Sequence, residues 1–261
     1  MTQQGLFRLD GRVAIVSGGG GGIGSALAEA LGGAGASVSV VDSAPERAET
    51  AAIRVRQSGG ESLALTADVT DQAGCERMVA ETLDRFGRLD MLLNAVGGGA
   101  GKELHPAEQY PAQAWDWIME LNLRTTLQAT QAAVKAMIAA GHGGRILNIS
   151  SVRAQLGINA GYSAYVAAKG AISALTRQWA TEWAQYSINV NAIAPTFVDT
   201  PQVAMLLEDA AFKAQLIARI PLGRVGGTQD LVGAVLFFCS DASSYVTGQI
   251  LTIDGGLTAT Q

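Results

Sequence analysis

The chain has little of what secreted, membrane-spanning or nucleic-acid-binding proteins need. Its two cysteines, Cys75 and Cys239, cannot build a disulfide framework, so a reducing compartment, the cytoplasm, is the expectation. Six prolines and no proline-rich run leave no stiff linker between domains. The longest apolar stretches, such as 231–239, fall well short of the roughly 18 residues a membrane span needs. Residues 1–10 carry charge and no long apolar core, unlike a secretory signal. Cations are also scarce: 18 Lys and Arg against 23 Asp and Glu leave a net charge of −5, the wrong sign for a nucleic-acid or anionic-membrane partner. His105 and His142 are isolated, with no cysteine or paired acid at ligand spacing, so no metal site is expected.

Apolar residues and glycine, by contrast, are plentiful. A hydrophobic share of 48% with 16% charged residues excludes a disordered chain, and 261 residues suit one large domain. Short β-branched runs at 12–17, 37–42, 62–68, 91–96, 145–149, 187–194 and 249–253 read as seven strands. Between them, 23–32, 44–57, 72–86, 111–140 and 165–186 have helical composition or spacing. Near-continuous apolar strands alternating with helices predict a single α/β domain, 1–261, of the doubly wound Rossmann type. Its seven-stranded parallel sheet would carry helices on both faces.

The run Ser17-Gly18-Gly19-Gly20-Gly21-Gly22-Ile23-Gly24 falls between the first strand and the first helix. Glycines there let the backbone approach a pyrophosphate, which then faces the N-terminus of the helix. No Gly-Lys-Ser/Thr closes the run, which excludes a nucleoside-triphosphate P-loop. Asp42 ends the second strand 18 residues after Gly24, near the spacing of a ribose-binding carboxylate. A carboxylate accepts hydrogen bonds from both ribose hydroxyls and repels a 2′-phosphate, so NAD is expected ahead of NADP. Arg47, on the following helix, is expected to be solvated.

Further along stand Asp68-Val69, Asn94-Ala95-Val96-Gly97, Asn122, Ser151, Tyr165-x-x-x-Lys169, Asn191-x-x-x-Pro195, Thr247-Gly-Gln and Asp254-Gly-Gly. In this order, with the glycine loop, the pattern resembles the short-chain dehydrogenase/reductase family from residue 12 to residue 256. Within it, the ending is similar to gluconate 5-dehydrogenase-like members. Tyr165 and Lys169, four apart, share a helix face. A neighbouring ammonium would draw the phenol, ordinarily near pKa 10, toward the range where proton exchange is useful. The resemblance implies that Tyr165 exchanges the proton of a secondary alcohol while hydride passes to nicotinamide. It implies that Lys169 also bonds the nicotinamide ribose, that Ser151 polarises the substrate oxygen, and that Asn122 anchors a relay water. By the same carry-over, Ser17, Gly18, Gly22, Ile23, Gly24, Asp42, Asn94 and Gly97 face the dinucleotide. Asp68 and Val69 would border the adenine, and Pro195, Val198 and Thr200 would cover the nicotinamide.

Three departures stand out. The usual second Asn of Asn-Asn-Ala-Gly is Ala95, and the usual Gly after Pro195 is Thr196. Ser151 and Tyr165 are 14 apart, one more than the family pattern, which leaves Ser150 as a competitor for the serine role. Substrate should bind beyond the carboxyl ends of the strands, among 98–110, 152–162 and a lid at about 201–220. Lys102, His105, Arg153, Gln155 and Tyr162 there suit a polar sugar acid or polyol, although Arg153 is equally placed to face solvent. Leu156, Met205 and Leu206 would instead suit a hydrophobic ketone. The rival functions are a 3-oxoacyl-thioester reductase and a non-catalytic dinucleotide sensor. Trp179 and Trp183 share a helix face, whereas Trp115 and Trp117 do not, and the resemblance implies a homotetramer.

Overall fold

The computed structural model describes residues 5–260, without the side chains of Ala100, Met205 and Leu206. Seven strands form one parallel sheet in the order β3-β2-β1-β4-β5-β6-β7. They are β1 (Val13–Ser17), β2 (Ser37–Asp42), β3 (Ser62–Thr66), β4 (Met91–Asn94), β5 (Gly144–Ile149), β6 (Ile188–Pro195) and β7 (Ile250–Ile253). All of β1 and β4 is buried because helices cover both faces, which is why these strands read as unbroken apolar runs.

Alternate side chains of a strand serve opposite layers. Val16 and Leu93 join Leu27 and Leu31 of α1 (Gly22–Gly33), Val55 of α2 (Pro45–Gln57) and Val235 of α9 (Gln229–Cys239). Their neighbours Ile15 and Leu92 pack with Met78 of α3 (Gln72–Phe86), Met137 of α5 (Thr125–Ala140) and Trp179 of α6 (Ser163–Trp183). Each fully buried leucine of this kind stabilises the fold by about 2 kcal/mol. The chain runs outward from β1 to β3, then crosses back to β4 on the other side of β1. That reversal opens a crevice beyond the carboxyl ends of β1 and β4, where such sheets bind ligands.

The long helix expected over 111–140 is α4 (Ala112–Met119), a π-helical turn (Glu120–Arg124) and α5. In the wide turn the N–H of Thr125 reaches back five residues to the carbonyl of Glu120. The segment 201–220 holds two short helices, α7 (Ala204–Glu208) and α8 (Ala210–Ala218), over a small cluster of Val152, Leu207, Leu216, Ile220 and Leu257. α9 is absent from the sequence reading, since a short run apolar on all sides has no period to distinguish helix from strand. Among the described residues no helix is long and apolar enough to cross a membrane.

Candidate active site

The glycine loop leaves β1 and enters α1 with no room for side chains. A Cβ on Gly18, whose φ is +70°, would lie 2.8 Å from the amide nitrogen of Val96, and one on Gly24 would collide with the carbonyl of Gly18. Gly21 caps α1 without a side-chain acceptor, and the first turn carries no acid. The amide groups of that turn and the positive end of the helix therefore face the crevice, as a pyrophosphate requires. A Cβ on Gly22 would meet Thr200 at 2.8 Å, so the start of the 201–220 segment lies against this loop. The residues present fit a dinucleotide.

Asp42 is 6% exposed. Its carboxylate accepts from the amides of Gly20 (3.2 Å) and Ala44 (3.0 Å), and from Arg47 at 2.7 Å. Arg47 is exposed, as expected, but its guanidinium also pairs with Asp42. With Pro45 opening α2 directly after β2, the first turn brings Arg47 back over the loop, beside Gly20. Other residues expected at the cofactor have partners within the chain. Ser17 donates to the carbonyl of Leu93 at 3.3 Å and to Asn94 Oδ1 at 3.4 Å. The Asn94 amide donates to Thr130 (2.8 Å) and Asn148 (2.9 Å), so Ser17 ties β1 to β4 while Asn94 ties β4 to β5 and α5. Asp68 is exposed and bonded to Thr70, while Val69 is buried beneath it. Val198 is buried, and the Oγ1 of Thr196 is buried without a hydrogen-bond partner next to Pro195.

The reactive groups converge beyond β4 and β5. Asn122, in the π-helical turn, accepts from the amide of Gly98 (2.8 Å) and donates to the carbonyls of Gly98 and Ile118 (both 3.0 Å). Gly97 lies between two of the candidates: a Cβ there would sit 2.8 Å from Asn122 Oδ1 and 3.1 Å from Lys169 Nζ. Lys169, 3% exposed, donates to the carbonyl of Ile149 at 2.9 Å, and its nitrogen is 5.6 Å from the Tyr165 ring centre. Ser150 is bonded to Ser173 (2.8 Å) and to the carbonyl of Lys169, inside α6. Ser151 is the serine that faces Tyr165.

The electrostatics differ from the sequence expectation. Burial raises the Tyr165 phenol above its ordinary 10; a hydrogen bond with Ser151 opposes it, Tyr162 adds to it, and the charge of Arg153 opposes it. Desolvation lowers the pKa of Lys169 itself to about 8. Ser151 and, less strongly, the charge of Arg153 favour the phenolate.

Of the expected substrate residues, Arg153 is buried and Tyr162 is half-buried, its ring edge-on to Tyr165 at 6.3 Å. Gln155 is exposed and directed at Thr252 on β7. Lys102 is exposed, and His105 is paired with Glu103 at 2.9 Å. A cavity of about 690 Å³ adjoins this side, lined by His105, Gly157, Tyr162 and Val166. Another of about 680 Å³, lined by Arg12, Asp90, Arg145 and Asp241, lies at the opposite ends of the strands, away from Tyr165. Gln202, which no sequence signal singles out, covers Gly98 so closely that a Cβ there would collide with its amide. Met205 and Leu206, the candidate apolar lining, have side chains outside the described residues.

Known proteins share this arrangement. A family model described as enoyl-(acyl carrier protein) reductase matches residues 18–258. The 2-dehydro-3-deoxy-D-gluconate 5-dehydrogenase of Dickeya dadantii is 37% identical over 96% of each chain. The 5-keto-D-gluconate 5-reductase of Escherichia coli K12 is 35% identical over 97% of each. A gluconate 5-dehydrogenase from Burkholderia cenocepacia, crystallised with NADP and tartrate, superposes with a TM-score of 0.90 at 37% identity, covering 98% of each chain. With sequence and fold alike over nearly its whole length, the chain belongs to the short-chain dehydrogenase/reductase family.

Proposed function

We propose that this oxidoreductase interconverts a secondary alcohol and a ketone, with NAD as the preferred cofactor and a sugar acid or polyol as substrate. The observation that carries the reading is a chain of neighbours: Asn122 and Lys169 meet at Gly97, Lys169 lies 5.6 Å from the Tyr165 ring centre, and Tyr165 adjoins Ser151. A nicotinamide dinucleotide, which the glycine loop and Asp42 would hold, would supply the acceptor or donor of the hydride at the carbinol carbon. Tyr165 takes the hydroxyl proton in oxidation and gives it back in reduction, so alcohol and NAD⁺ yield ketone, NADH and a proton. Ser151 holds the substrate oxygen against that phenol. Lys169 and Asn122 fix the floor of the site through Ile149 and Gly98.

Asp42 supports NAD, since its buried carboxylate would repel a 2′-phosphate. Arg47 weakens that discrimination, and the Burkholderia relative was crystallised with NADP. The sugar-acid reading rests on the relatives' substrates, on the tartrate in that crystal and on the buried cation Arg153. Two buried free thiols, Cys75 and Cys239, fit a reducing cytoplasm. The exposed Trp115 and Trp117 fit a homotetramer, which would cover them.

The test is NADH formation across sugar acids, polyols, hydroxysteroids and simple secondary alcohols, for the wild type and Tyr165→Phe. Removing the general base should lower turnover about 10²- to 10⁴-fold. A phenylalanine variant with wild-type turnover would refute the assignment.

A further inference from the structure

Arg153 has a charge that the chain does not balance. Among the described residues, ten of the other arginines stand in ion pairs: Arg8, Arg12, Arg47, Arg56, Arg77, Arg85, Arg88, Arg124, Arg145 and Arg224. Arg54, Arg177 and Arg219 are exposed and hydrated. Arg153 alone is both buried, at 6%, and without a carboxylate within 4 Å among those residues. Its Nη1 donates to the carbonyl of Gly157 at 3.2 Å, and the guanidinium has no other acceptor there.

Position makes the imbalance informative. Arg153 follows Ser151 by two residues, on a 3₁₀ turn (Val152–Ala154), and its own amide donates to Ser151 Oγ at 3.1 Å. The charged and titratable groups that act on it are Arg219, a second cation, and the phenols Tyr162 and Tyr165; none is a carboxylate. A lysine so placed can shed its proton, as burial inclines Lys169 to do. A guanidinium cannot, so the charge persists, and an anion bound beside it would offset the cost of its burial. The planar fork matches a carboxylate, which can take two parallel hydrogen bonds.

We propose that Arg153 binds the carboxylate of the substrate beside the reacting carbon, so that the enzyme selects a hydroxy acid over the neutral polyol of the same chain length. The proposal rests on the alcohol–ketone reading above and adds the group that sets specificity. The carboxylate enters as ligand and Arg153 makes no bond to hydride or proton; it is a specificity residue.

The experiment compares D-gluconate with neutral D-glucitol, by kcat and KM, in the wild type, Arg153→Gln and Arg153→Lys. Loss of a charge-assisted pair should raise KM for gluconate about 10- to 100-fold in the glutamine variant. Because the charge of Arg153 also favours the Tyr165 phenolate, kcat should fall by a similar factor on both substrates. KM for glucitol should stay within about twofold, and the lysine variant should recover part of the loss in KM for gluconate. An equal rise in KM on both substrates would make Arg153 a brace for the loop through Gly157 and overturn the proposal. Calorimetric titration of gluconate and glucitol into the NADH-loaded proteins separates this from failure of the reaction itself. If no alcohol is oxidised yet gluconate binds the wild type about tenfold more tightly than it binds Arg153→Gln, the carboxylate site stands and the alcohol–ketone reading falls. If the wild type binds the two compounds alike, the carboxylate site falls.

Discussion

The two ends of the sheet treat buried charge in opposite ways. At the amino ends of the strands Asp90, 2% exposed, accepts from the amide of Val13 (2.8 Å) and pairs with Arg88 (2.6 Å). Arg12 at 3.6 Å and His142 at 3.9 Å stand close to the same carboxylate. Asp241 meets Arg12 and Arg145 beside it. At the carboxyl ends the buried acids Asp42 and Asp254 are held by Arg47 and by backbone amides, whereas the buried cations Lys169 and Arg153 have no carboxylate partner among the described residues. Desolvating a charge costs several kcal/mol unless a counter-charge offsets it. At the amino ends the paired charges bind strands and loops to one another. For the unpaired cation Arg153, the proposed counter-charge arrives with a ligand.

Breaking the balanced end should have the largest effect on stability. Asp90→Ala strands Arg88 and the Val13 amide and should lower unfolding free energy by about 3 kcal/mol, seen in urea titration, while kcat per folded molecule is kept. The unbalanced end should respond with the opposite sign. Lys169 has a pKa of about 8 when folded against an ordinary 10.5, so its burial penalty is complete below pH 8 and fades as pH rises toward 10.5. Lys169→Met should therefore abolish turnover yet raise stability at pH 7 by about 2 kcal/mol, after loss of the bond to Ile149. Thermal melts at pH 7 and pH 10 should show that gain shrinking; a variant less stable than wild type at both would show Lys169 to be structural.

Asp42 is an intermediate case, buried but paired with a half-exposed arginine. Asp42→Ser should free Arg47 for a 2′-phosphate and move the NADP-to-NAD ratio of kcat/KM about tenfold, or ~1.4 kcal/mol, toward NADP. An unchanged ratio would mean that Arg47 is held elsewhere.

Much of the fold is legible in the sequence, because a parallel sheet covered on both faces forces apolar runs at β1, β2 and β4 and glycines where β1 meets α1. The positions of Tyr165, Lys169, Asn122 and Ser151 follow from spacing and resemblance. Their electrostatics do not, since desolvation depends on what lies above a side chain: it raises Tyr165 and lowers Lys169. Arg47 and Arg153 illustrate the same limit. Arg47 reads as a solvated cation and Arg153 as either a substrate contact or a solvated one, and only the fold of the following turn brings the exposed Arg47 onto Asp42 and Arg153 beneath the surface. Gln202 touches Gly98 across 104 positions of chain, which no local pattern encodes.

In terms of chain length, the wide turn at Glu120–Arg124 is one surplus residue stored inside a helix. It lets α4 and α5 run on as one rod while Asn122 is swung onto the backbone of Gly98. Deleting the surplus residue would let the turn close to an ordinary α-helical one, leaving Ala133 and Met137 on the sheet while Asn122 lost its swing onto Gly98. That residue is thereby tied to the reaction site and not to the packing of the rod.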